Sequence, residues 1–208
     1  MGKYLDRKCR LCRREGTKLF LKGERCLGPK CPIERKGAVS PGMQGTRRRR
    51  TRLSEYALQL REKQKMKRFY ALQERQFRNY FQKAKKLGGA TGSTLVQMLE
   101  GRLDNIVYRL GFVSSRLQAR QIISHGHILV DGKRVDIPSF QVKVGQVITL
   151  TSASLKMPAV LEALGKKEIE LPDWLERKAA VGRVKRLVSR PEVEADINEQ
   201  AVIEFYSR

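Results

Sequence analysis

Apolar residues recur at helical spacing through most of this chain and alternate at strand spacing in a shorter central stretch. In LSEYALQLREKQKMKRFYALQERQFRNYFQKAKKL, residues 53 to 87, Ser54 is placed to cap a first helix. Tyr56, Leu60, Met66 and Phe69 supply its apolar side, with Arg61, Lys63, Lys65, Lys67 and Arg68 over the rest. A second helix is predicted over Glu74 to Leu87, where Phe77, Tyr80, Phe81 and Ala84 fall at i, i+3, i+4 and i+7. That spacing makes the aromatic stripe core rather than a base-stacking surface. The GGATGS run at 88 to 93 ends the helix.

A third helical pattern starts near Ser93, with Leu95, Met98, Leu99, Leu103, Ile106, Val107 and Leu110 closed by Gly111. Ser115 followed by Gln118 then reads as a capping box, opening a helix with Leu117, Ala119, Ile122 and Ile123 on its buried side. HILV, the Asp131-Gly132 pair and KRV give a β-hairpin, and QVKVGQVITL at 141 to 150 predicts two short strands around Gly145. Farther on, SLKMPAVLEALG reads as a helix limited by Pro158, GRVKRLV at 182 to 188 as a strand, and the end as a helix after Asn198. Together these elements predict an α+β chain: a cysteine module, a basic helical domain and a helix-plus-hairpin module.

Charge adds a partner. Among 208 residues, 44 Lys and Arg face 21 Asp and Glu, a formal net charge of +23. The balance is +13 over residues 1 to 52, +7 over 53 to 97, +5 over 98 to 167 and −2 over 168 to 208. So large an excess is self-repulsive without a polyanion, and nucleic acid against the first half and the middle is the expected one. The last segment is expected against protein or solvent. No apolar run reaches the roughly 18 residues of a membrane span, and MGKYLDRKC lacks a secretory apolar region, so a reducing cytosol is expected.

All four cysteines lie in CRLCRREGTKLFLKGERCLGPKC. Cys9, Cys12, Cys26 and Cys31 have the spacing C-x2-C-x13-C-x4-C, two thiol pairs that can converge on one tetrahedral ion. Disulfides fit a cytosolic chain poorly. Four thiolates around one Zn²⁺ leave no open position, so the expected site is structural; an iron–sulfur cluster on the same cysteines is the alternative.

The basic connector at 36 to 52 carries Arg47, Arg48, Arg49, Arg50 and Arg52. With Arg61, Lys63, Lys65 and Arg68 of the first helix, these are candidate RNA contacts. Arg116 and Arg120, four residues apart, share a helix face away from Leu117 and Ile123. His125, His127, Lys133 and Arg134 extend that face onto the hairpin. The two histidines have neither a triad pattern nor a second metal-ligating group nearby, and Walker A, Rossmann and H-E-x-x-H signatures are absent, so no enzyme is expected.

RLDNIVYRLGFVSSRLQARQIISHGHILVDGKRVDIPSFQV, residues 102 to 142, resembles the S-four RNA-binding module. LREKQKMKRFYALQERQFRNYF, the cysteine pairs and the ending NEQAVIEFYSR extend the likeness to the bacterial-type ribosomal protein S-four family over essentially the whole chain. That resemblance implies a primary binder of 16S rRNA at a 5′-domain junction, nucleating the body of the small subunit in the cytoplasm. It implies contact with protein S-five, an influence on decoding accuracy with S-five and S-twelve, and a place near the mRNA entry path. It also implies the metal-binding branch of the family, through Cys9, Cys12, Cys26 and Cys31. Finally, it implies that the S-four module is inserted into the helical domain. The expected division is 1–45 for the cysteine module and connector, 46–97 with 168–208 for the helical domain, and 98–167 for the S-four module.

Overall fold

The computed structural model describes residues 4, 6–43, 45, 53–165, 171–189 and 197–208. The chain divides into two compact units, Met1–Gly92 with Ala195–Arg208, and Ser93–Glu194.

The first unit is helical. Helix α1 (Lys8–Glu15) stops where Gly16 takes a left-handed conformation and donates its N–H to the Cys12 carbonyl. A 3-10 turn (Gly23–Cys26) follows, then α2 (Pro32–Lys36), whose first residue is proline, suited to a position that needs no N–H. Among the described residues of this small module, only Leu19 and Leu21 join Cys12, Cys26 and Cys31 as buried apolar residues. Two long helices, α3 (Glu55–Phe69) and α4 (Glu74–Leu87), make the body of the unit. Ser54 caps α3 through the Ala57 N–H, as its sequence position predicts. Met66, Phe69, Phe77, Phe81 and Ala84 are buried, whereas Tyr56 is half exposed and Tyr80 lies partly at the surface.

The chain returns to this unit as its last helix, α10 (Glu199–Ser207), capped by Asn198 and packed along α3. Its Tyr206 ring stacks on Phe81 with centroids 4.6 Å apart, and its hydroxyl donates to Glu74 at 2.8 Å. The same carboxylate accepts from Lys63 and Lys67, each at 2.8 Å. Three helices thus meet on one carboxylate.

The second unit begins with α5 (Thr91–Glu100) and α6 (Leu103–Arg109). The single helix expected from Ser93 to Gly111 is therefore broken at Gly101 and Arg102. The cause lies far along the chain: Gly101 accepts from the Val142 N–H, Leu103 donates to Phe140, Asp104 donates to Pro138, and Arg102 bridges to Gln141. Helix α7 (Arg116–Ser124) starts at Ser115, whose hydroxyl accepts from the Gln118 N–H. Gln118 completes the cap one residue early, accepting from the Ser114 N–H and hydroxyl.

An antiparallel sheet of order β2-β1-β3-β5-β4 completes the unit. The expected hairpin joins β1 (Ile128–Val130) to β2 (Lys133–Arg134), with positive φ at Asp131 (49°) and Gly132 (77°). The segment around Gly145 yields one strand, β3 (Val147–Leu150), and the helix expected near Pro158 splits into α8 (Ser152–Leu155) and α9 (Pro158–Leu164). Strands β4 (Leu175–Lys178) and β5 (Val181–Val184) pair with each other, and β5 pairs with β3. Residues 171–189 therefore belong with this sheet, not with the helical domain to which 168–208 was assigned from sequence. Gly182 permits that pairing: a Cβ there would lie 2.3 Å from the Leu110 side chain. Arg177 then caps the end of α6 by donating to the Leu110 and Gly111 carbonyls at 2.9 and 3.3 Å.

Behind α6 and α7 lies a buried ionic network. Asp104 grips Arg102 with both oxygens (3.0 and 2.8 Å) and Arg120 with one (3.2 and 2.7 Å). Asn105 accepts from Arg116 at 2.7 Å and donates to Glu100 at 2.6 Å, and Glu100 also pairs with Arg109. Arg102 is fully buried, so these charges depend on their pairing.

Two expectations follow. Asp104→Asn takes a carboxylate from between two guanidiniums and should lower the stability of the second unit by about 3 kcal/mol. Urea unfolding followed at Trp174, the only tryptophan and buried in that unit, measures this directly; a change below about 0.5 kcal/mol, the usual range for surface substitutions, would show the pairing to be dispensable. In the first unit, burial alone would raise the Glu74 carboxyl, but hydrogen bonds from Lys63, Lys67 and Tyr206 outweigh it and hold it at about 2, against an ordinary 4.5. A depressed carboxyl stabilises above its unfolded value, so this contribution is present above pH 4.5 and fades toward pH 2. Melting temperatures across that window should fall more steeply for the native chain than for Glu74→Gln.

Candidate functional site

Two features could carry chemistry, the cysteine module and the distribution of exposed cations. Helix α1 supplies Cys9 and Cys12, the 3-10 turn supplies Cys26, and Cys31 precedes α2. All four are free thiols and line one small pocket with Lys22, Arg25, Pro32 and Ile33. The Lys22 N–H points at the Cys26 sulfur at 3.3 Å. Burial pushes the Cys12 thiol up to about 11, assisted by the neighbouring sulfurs and opposed by the Leu19 N–H; burial also raises Cys26. Four thiols lining one pocket are a donor set of the kind that suits a thiophilic cation. Among the described residues, however, no group of three or more His, Cys, Asp or Glu side chains stands in a ready-made metal-binding arrangement.

The cysteine module is anchored by a carboxylate. Glu15, at the end of α1, has a side chain only 1% exposed, which pairs with Arg61 and Arg68 of α3. Burial raises this carboxyl, while Arg68, Arg61 and Arg14 act in the opposite direction. Arg13 fixes the following segment, donating to the Val39 and Ser40 carbonyls at 2.8 and 3.2 Å.

These contacts redistribute the cations expected to meet RNA. Arg61 and Arg68 face Glu15, Lys63 is buried against Glu74 with its ammonium 4.7 Å from the Phe205 ring centre, and Lys65 approaches Glu62 at 3.8 Å. Arg116 and Arg120 do not form the open helix face expected of them. They are 5% and 9% exposed and bind Asn105 and Asp104, with the Arg116 guanidinium 4.5 Å over the Tyr108 ring. Arg47, Arg48, Arg49, Arg50 and Arg52 lie outside the described residues.

The hairpin residues do reach the surface. His125, Lys133 and Arg134 are exposed and His127 is partly so, with the two imidazoles 6.2 Å apart and Arg134 donating to the His125 carbonyl at 3.2 Å. Sequence reasoning missed the outer face of α4. Arg75, Arg78, Lys83, Lys85 and Lys86 are all exposed there, opposite the buried Phe77, Phe81 and Ala84. The signal was available, because the apolar stripe already fixes which side of the helix turns to solvent. Exposed cations are suited to phosphate, and these two faces, one in each unit, join the exposed Arg10, Arg14, Lys22, Arg25, Lys30 and Arg35 of the cysteine module. Among the described residues no helix is long and apolar enough to cross a membrane.

Comparison with known proteins accounts for the whole chain. Residues 3–100 match the family model described as ribosomal protein S4/S9 N-terminal domain, and residues 101–148 match the S4 domain. The small ribosomal subunit protein uS4 of Thermus thermophilus is 50% identical over 211 residues, covering 100% of both chains. The uS4 proteins of Natranaerobius thermophilus and Dictyoglomus turgidum are 49% and 51% identical, again over the full length of each. With both domains matched in order and half of all positions identical from end to end, this chain belongs to the uS4 family.

Proposed function

We propose that this chain is a non-enzymatic, structural constituent of the small ribosomal subunit that binds 16S rRNA. The observation carrying the reading is the full-length, 50% identity to proteins named small ribosomal subunit protein uS4. The charge of +23 and the exposed basic faces on α4 and the β1-β2 hairpin support it physically. Selectivity comes from the shape of an RNA junction, because an A-form duplex hides its base edges in a deep, narrow groove. On the family reading alone, the junction is in the 5′ domain, S-five is a direct neighbour, S-twelve shares the effect on accuracy, and mRNA enters nearby.

In the same reading, Cys9, Cys12, Cys26 and Cys31 hold one structural Zn²⁺, which when bound supplies cross-linking to a segment with few buried apolar residues. That four thiols line one pocket supports this, and on this reading the N-terminal module rather than the second unit is metal-dependent.

Filter binding to a 5′-domain RNA fragment tests the main reading. Affinity should fall steeply with salt, and Arg78→Ala with Lys85→Ala should reduce the slope of log K against log salt by about 2, one per lost phosphate contact. Arg116→Ala with Arg120→Ala should instead act through lost stability of the second unit. An unchanged slope for the α4 variant would remove that face from the RNA interface. For the metal, elemental analysis of anaerobically purified protein should find one zinc per chain; iron with acid-labile sulfide would replace zinc by a cluster. Cys9→Ser should expose the N-terminal module to protease while Trp174 fluorescence stays native.

A further inference from the structure

Besides its exposed basic face, the first unit contains a concave site. A cleft of about 490 Å³ opens between the end of α1, residues 38–40, the start of α3 and the start of α10. That lies within the range of roughly 300–1,000 Å³ usual for sites that bury a small organic group. Its walls combine two kinds of surface. Leu53 and Leu58 are 52% and 51% exposed, although each sits beside a well-packed helix pair. Arg13, Arg14 and Arg61 bring three guanidiniums to the same walls.

The two acidic wall residues are already engaged. Glu15 is buried between Arg61 and Arg68, and Glu62 accepts the Asn198 backbone N–H at 3.0 Å. Arg14 is exposed, while Arg13 is held in place by the Val39 and Ser40 carbonyls. The cleft therefore offers apolar faces next to positive charge, Arg13 held by carbonyls and Arg14 exposed. A flat, apolar-faced group carrying a phosphate satisfies both, and a continuous RNA helix cannot enter a concave site of this size.

We propose that this cleft receives one unpaired nucleotide of the bound RNA, its base against Leu53 and Leu58 and its phosphate near Arg14. Single-stranded and bulged bases are the part of RNA that proteins read by insertion and stacking, so the cleft adds a base-reading contact to an interface otherwise built on phosphates. The inference rests on the RNA-binding reading above and locates one contact within it.

The full-length chain, bound to the 5′-domain fragment of 16S rRNA, provides the test. Leu58→Ser should weaken binding about tenfold, in line with the loss of one base contact, without altering the salt slope, whereas Arg14→Ala should reduce the slope by about 1. Chemical probing of base edges should show one unpaired base protected by the native chain and reactive with Leu58→Ser, the remaining footprint being unchanged. Leu58→Met, which keeps the apolar contact, should restore both affinity and protection. If Leu58→Ser instead changes the salt slope, or no unpaired base differs in reactivity, the cleft does not hold a base. If neither variant nor the native chain binds the fragment at all, the RNA-binding reading itself fails.

Discussion

The rest of this structure depends on where a few carboxylates sit among many cations. A chain with twice as many basic as acidic residues can bury a guanidinium or ammonium only beside a carboxylate, because a lone buried charge costs several kcal/mol. Glu15 joins the cysteine module to α3, Glu74 gathers α3, α4 and α10, and Asp104 with Glu100 holds α6 against α7. Glu15, Glu74 and Asp104 each take up two cations, and Glu100 takes up Arg109. Cations that stay outside, among them those on α4, on the hairpin and in the cysteine module, are left for phosphate.

This division of labour explains why charge alone misplaces the interface. Arg116 and Arg120 sit four residues apart on a helix, on the side away from Leu117 and Ile123, which in an isolated helix is a solvated face. Asp104 and Asn105, more than ten residues earlier in the chain, turn that face into a second buried surface by binding Arg120 and Arg116. Arg61 and Arg68 meet the same fate through Glu15, some fifty residues away. By contrast, Arg78 and Lys85 lie on the side of α4 away from Phe77, Phe81 and Ala84, and they stay exposed.

The cysteine module follows a different logic. Its described residues bury few apolar side chains, and its connection to α3 runs through one ion pair cluster at Glu15. A hydrophobic core of that size supplies little order by itself, so the ion pairs at Glu15 weigh more here than in the helical body.

Local signals in the sequence determined the helix boundaries at Ser54, Glu74 and Asn198, the Asp131-Gly132 hairpin and the grouping of four thiols, because caps, turns and short-range periodicity act within a few residues. The family likeness, carried by long stretches of identical order, was equally legible there. Tertiary structure alone decided the break at Gly101 and Arg102, the addition of β4 and β5 to the sheet, and the cations removed from solvent. Each of these is set by a partner distant in sequence: Phe140 and Val142 for the break, Leu110 against Gly182 for the sheet, Glu15 and Asp104 for the cations. Periodicity reports which side of an element is apolar; only the folded chain brings a remote carboxylate to a cation and fixes whether that cation can still meet RNA.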